Sequence, residues 1–165
     1  MEPVIKLDLK NKAVFQYYNE CLSRKIKEVC SKIGFSYNGI TWIIFDPDAS
    51  DRYCDTLSQI QKIIVGRQGC DYGFCNGIDT IWISTLSIEK ECSTNRIINK
   101  KLIKSLGFST CSNEDDLLAD VILDELAHIA TGCDHGTLKY DKTLEKFQQA
   151  YYGNPLRLIG YQLHL

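Results

Sequence analysis

The chain has 165 residues, 44% hydrophobic and 24% charged, the profile expected of an ordinary globular domain. Its formal net charge of −2 argues against nonspecific nucleic-acid binding as the main role. No stretch reaches the ~18 apolar residues of a membrane span, and residues 1–14 hold no apolar run of signal-peptide length, so an intracellular protein with no membrane segment is expected.

Residues 5–9 alternate weakly between apolar and polar and fit a short strand or an ordered arm. Residues 12–33 predict a helix, because Val14, Tyr18, Leu22, Ile26, Val29 and Ile33 recur at helical spacing and Gly34 supplies a stop. Residues 39–45 (GITWIIF) predict a buried strand, and 46–51 a loop of turn formers. Residues 55–65 predict a short helix. The three glycines of 69–77 point to irregular structure or an edge strand with tight turns. Residues 79–84 (DTIWIS) predict a second strand, and the mixed polar run 88–95 reads as a surface insertion.

Residues 96–106 predict a helix whose Arg96, Lys100, Lys101 and Lys104 form a solvated basic face. Ser112, followed by Glu114, Asp115 and Asp116, is an N-cap signal for a helix over 113–131 that Gly132 ends. Residues 138–152 predict a last helix with Tyr140, Leu144, Phe147 and Tyr151 in one stripe. Residues 154–155 begin an exit segment, and 156–165 are an apolar tail in which His164 is a packing or exposed residue. No repeat, low-complexity run or linker interrupts the order. A single domain over 1–165 with its core in about 12–152 is expected, of mixed α+β class, a small sheet covered by helices.

The eight cysteines are Cys21, Cys30, Cys54, Cys70, Cys75, Cys92, Cys111 and Cys133, with no C-x-x-C among them. Without a leader they are expected to be reduced, Cys21 and Cys30 serving as small buried apolar residues of the first helix. Cys70 and Cys75 are spaced C-x4-C, a pair with metal-ligand potential but no second pair to complete it.

The chemistry concentrates in Asp124-Glu125-Leu126-Ala127-His128, followed by His135-Gly136. Residues four apart share a helix face, so Asp124 and His128 reach one point in space, with Glu125 on the adjacent rim. Gly132 lets the chain turn, and His135 then folds back to the same point. Three donors beside a carboxylate that need not be a donor make the arrangement of a catalytic zinc. The ion would acidify a bound water and Glu125 would accept the proton. Two histidines and a carboxylate also suit iron or manganese. Asp120, one turn before Asp124, is either a solvated position or a group that orients a donor. Cys133 is either an incidental loop thiol or a fourth, softer ligand that would make the site structural.

Asp-Glu-Leu-Ala-His with His135-Gly136 resembles the H-E-L-A-H…H-G pattern of zincin metallopeptidases, of the SprT-like type in particular. A long first helix, two strands of which the second reads Ile81-Trp82-Ile83-Ser84, and then the motif helix is similar to the small zincin plan. The resemblance implies a zincin-like domain, metal-ligand roles for His128 and His135, a general-base role for Glu125, and a protein or peptide substrate. Asp124 stands where the first histidine belongs; it can ligate through oxygen but reaches less far and cancels part of the ion's charge. Lys139 holds the place where such chains commonly have an aromatic, and Tyr140 follows it. Relatives of this type include proteases that act on DNA-linked proteins. No zinc ribbon or basic tail follows in this sequence, so DNA binding is not carried over. Two readings remain open: a metal-dependent peptidase with a modified site, and a binding or structural module that keeps the fold and has lost the metal.

Overall fold

The computed structural model describes residues 1–8, 15–45, 72–92 and 117–153. The loop at 46–51, the helices expected at 55–65 and 96–106, the cap at Ser112 and the tail with His164 lie outside these residues. In chain order the elements are β1 (Val4–Asp8), α1 (Phe15–Ile33), β2 (Thr41–Phe45), β3 (Gly73–Cys75), β4 (Thr80–Ser84), α2 (Thr85–Cys92), α3 (Leu117–Thr131) and α4 (Leu138–Tyr152). The sheet order is β1-β2-β4-β3. β1, β2 and β4 run parallel, with Val4 opposite Thr41 and Thr41 opposite Thr80. β3 is antiparallel to β4, with Phe74 opposite Trp82, and is an edge strand among the described residues. The mixed α+β class expected from sequence is the class observed.

β2 and β4 are almost wholly β-branched and aromatic because both of their faces are buried. Trp42, Ile44, Ile81 and Ile83 join the main core with residues of α1, α3 and α4. The alternate positions Ile43, Phe45 and Trp82 pack with Phe74 in a second cluster, where the Phe74 and Trp82 rings stack at 5.0 Å. α1 turns Tyr18, Leu22, Ile26 and Val29 inward, as its periodicity predicts.

Three expectations are corrected. Residues 88–92 are not a surface insertion, because β4 runs directly into α2; residues 93–95 of that run lie outside the described residues. The Ser84 hydroxyl accepts the Leu86 N–H at 2.9 Å, and Ser87 and Ile88 are fully buried while Glu89 faces outward. The polar letters of this run conceal its inward-facing positions. Cys21 is buried on α1 as expected, yet it is disulfide-bonded rather than reduced. Cys30, Cys75 and Cys133 are free. Asp120 is not a solvated position, since its Oδ1 accepts the hydroxyl of Tyr152 on α4.

α3 is the centre of the helical layer. Leu118, Ala119, Ile122, Leu123, Leu126 and Ala127 are all fully buried. α4 lays Tyr140, Phe147 and Tyr151 into the same core. β3 lies against α3 at Gly73, where an added Cβ would stand 2.6 Å from Val121 Cγ1 and 3.1 Å from the Trp82 carbonyl oxygen. This contact brings the edge strand beside the end of α3 that carries the motif. Among the described residues no helix is long and apolar enough to cross a membrane.

Candidate metal centre

The motif lies on the last two turns of α3 and the short connection to α4. The Gly132 N–H closes the helix on the His128 carbonyl at 2.7 Å, and the Thr131 hydroxyl bonds the Ala127 carbonyl at 2.8 Å. The chain then reverses through Gly136, whose φ of +85° a residue with a Cβ rarely adopts. Thr137 caps α4, its Oγ1 accepting the Tyr140 N–H at 3.3 Å and donating to the Asp134 carbonyl at 3.0 Å. These local bonds return His135 toward α3.

His128 Nδ1 lies 2.8 Å from the Cys133 carbonyl oxygen. A carbonyl only accepts, so Nδ1 carries the hydrogen and the neutral ring has its lone pair on Nε2. That Nε2 is 3.2 Å from His135 Nε2. Asp124 Oδ1 is 3.6 Å from the first nitrogen and 4.0 Å from the second. Donors bonded to one zinc ion at ~2.0–2.1 Å in a tetrahedron stand about 3.3 Å apart. The three donor atoms therefore fit a single small cation with little movement, and all lie within 4.8 Å of one another. The backbone-bonded imidazole is the outer support that metal-ligating histidines ordinarily have. His128 is 13% exposed and His135 69%, so the cluster opens outward and leaves room for a further ligand.

Tyr140 covers the cluster from α4. Its ring stacks on His128 at 4.4 Å and meets His135 edge-on at 4.8 Å, while its hydroxyl donates to Asp124 Oδ1. Tyr140, the aromatic that follows Lys139, thus packs on the site.

Glu125 lines the same cleft as the three donor residues, about 910 Å³, bounded by the motif on one wall and by β3 and its turn on the other. It is 5% exposed. Burial, and then the neighbouring Asp124 charge, push its carboxyl up to about 8, against a hydrogen bond with the Cys75 thiol that lowers it. The Cys75 thiol is raised far above its usual range by burial and then by Glu125. The opposite rim is held by Asn76, whose Oδ1 accepts the N–H groups of Ile78, Asp79 and Thr80 at 2.9, 3.0 and 3.0 Å.

The structure therefore brings Asp124, His128 and His135 together and sets Glu125 beside them. Cys133 contributes a carbonyl rather than a ligand sulfur, its thiol resting 3.3 Å from the Thr131 carbonyl. Cys75 belongs to Glu125, and its C-x4-C partner Cys70 lies outside the described residues. Sequence reasoning missed two contributions, the Tyr140 hydroxyl and the Cys75 thiol. The first had a signal in the aromatic near the motif; nothing local ties residue 75 to residue 125. Comparison of the chain with protein-family models and with curated proteins gives no match.

Proposed function

We propose that the cluster is the metal centre of a metal-dependent peptidase of zincin-like, SprT-like type, with Asp124 in place of the first motif histidine. The observation that carries this reading is the pair of imidazole Nε2 atoms 3.2 Å apart with a carboxylate oxygen within 4.0 Å of both. Zinc suits the donor set, and iron or manganese are the alternatives for two nitrogens and one oxygen. When bound, the ion supplies Lewis acidity and an acidified water. Glu125, on the floor of the cleft, takes the proton of the attacking water and returns it to the leaving amine. β3, an edge strand on the cleft wall, offers backbone groups to an extended peptide.

A second reading is an inactive binding or structural module that has lost the metal. It draws support from Asp124 Oδ1 already accepting the Tyr140 hydroxyl and from the burial of Glu125. Elemental analysis of the purified protein, with His128→Ala as control, separates the two. One equivalent of zinc, iron or manganese, lost in the variant, supports the centre; no stoichiometric metal favours the module. Where metal is present, Glu125→Gln should keep it and abolish cleavage of a peptide library. Unchanged cleavage would remove Glu125 as the base.

A further inference from the structure

Asp124 replaces an imidazole with a shorter arm, so its oxygen serves the cluster only if the side chain is held in one rotamer. The hydroxyl of Tyr140 donates to Oδ1, the same oxygen that faces His128 Nε2 at 3.6 Å and His135 Nε2 at 4.0 Å. We infer that Tyr140 is the positioning residue of this site, holding the Asp124 carboxylate toward the two histidines so that aspartate and tyrosine together do the work of the missing imidazole. The inference rests on the metal reading above and concerns a pairing specific to this chain.

Three observations carry it. Tyr140 is 2% exposed and its ring packs against both imidazoles, so its hydroxyl is a rigid donor rather than a mobile one. The Thr137 cap fixes the backbone of Tyr140 in the first turn of α4, so the hydroxyl is placed by the same connection that returns His135. A carboxylate oxygen has lone pairs enough to accept this hydrogen and still face a cation. Tyr140 touches all three donor residues, whereas Asp120, on α3 with Asp124, is bonded by Tyr152 and takes no part in the cluster.

The test is zinc titration of the full chain by calorimetry, with far-UV circular dichroism to establish folding. Tyr140→Phe keeps the ring and both imidazole contacts and deletes only the hydroxyl. Loss of an outer partner of a ligand typically weakens binding about 10–100-fold, and that loss is expected here at unchanged stoichiometry. In an Asp124→Ala background the same change is expected to alter affinity less than about twofold, because its only route is through Asp124. Asp124→Glu, which keeps the charge but moves the oxygen by a methylene, gives an arm independent of Tyr140 variants and should lose at least about tenfold. Wild-type affinity in Tyr140→Phe or Asp124→Glu, or a full additive loss in the double variant, overturns the inference and leaves the metal centre standing. A wild-type chain that binds neither zinc, iron(II) nor manganese(II) overturns both.

Discussion

The Nε2 atoms of His128 and His135 face each other at 3.2 Å, one ring turned nearly perpendicular to the other. Two lone pairs do not sit so without a proton or a cation between them. Both single alanine variants should therefore lose zinc binding by at least about 100-fold, beyond the range typical of an outer partner. They should differ in stability. His135 is exposed, so its removal should change urea unfolding by less than about 0.5 kcal/mol. His128→Ala also breaks the bond to the Cys133 carbonyl and the stack on Tyr140, at about 1–3 kcal/mol. Equal unfolding midpoints for the two variants would contradict this division.

Gly73→Ala addresses the wall of the cleft. The new methyl would meet Val121 and the Trp82 carbonyl, so β3 must retreat from α3 or Val121 must move. Overpacking of this kind costs about 1–3 kcal/mol, read as a lower thermal midpoint. Metal binding should survive, since no donor lies on β3.

Glu28 gives the fold a dependence on acid. Burial disfavours its charge, but Lys25 at 3.3 Å, the Tyr151 hydroxyl at 3.2 Å and Lys32 at 3.4 Å outweigh that and hold its carboxyl below the usual 4.5. A lowered folded-state value means the contribution is present above about pH 4.5 and is lost as pH falls through the folded value. Glu28→Gln should flatten the acid side of the stability profile and cost under about 1 kcal/mol at pH 7, the pair being partly exposed. Urea midpoints that fall equally in both proteins below pH 4.5 would remove Glu28 from the account.

Cys30 is expected to be chemically silent. Burial pushes its thiol up to about 12, so almost no thiolate exists at pH 8. Iodoacetamide should label it only as fast as the chain unfolds, followed by mass spectrometry of the peptide that holds it. Rapid labelling of the native protein would mean that the α1 face is open.

The sequence carried the helices α1, α3 and α4 and the strands β2 and β4 because each is long or apolar enough to show its period. It also carried the donor set, since Asp124, His128 and His135 lie within one helix and one turn. What it hid depends on contacts between distant segments. Ile88 is inward on α2, but its neighbours Glu89, Lys90 and Glu91 dominate the local pattern. The disulfide of Cys21 leaves no mark in spacing. Cys75 reaches Glu125 only because Gly73 lets a strand lie close on α3. The Tyr140 hydroxyl was legible as an aromatic near the motif, but its bond to Asp124 follows from how α4 crosses α3.

Among the described residues, the three candidate donors, together with the Cys133 carbonyl and the Tyr140 hydroxyl that hold them in place, fall between residues 124 and 140. The candidate cluster closes over a short loop, so its entropic cost is small and is met when one helical hairpin forms. Glu125 acquires its surroundings only when β3 docks from far away in the sequence. On the proposed function, capture of an ion would thus be a local property of this chain and peptide hydrolysis a long-range one. If the proposed centre holds, change on the sheet side would silence the chemistry and leave the ion bound, turning such an enzyme into a metal-stapled scaffold.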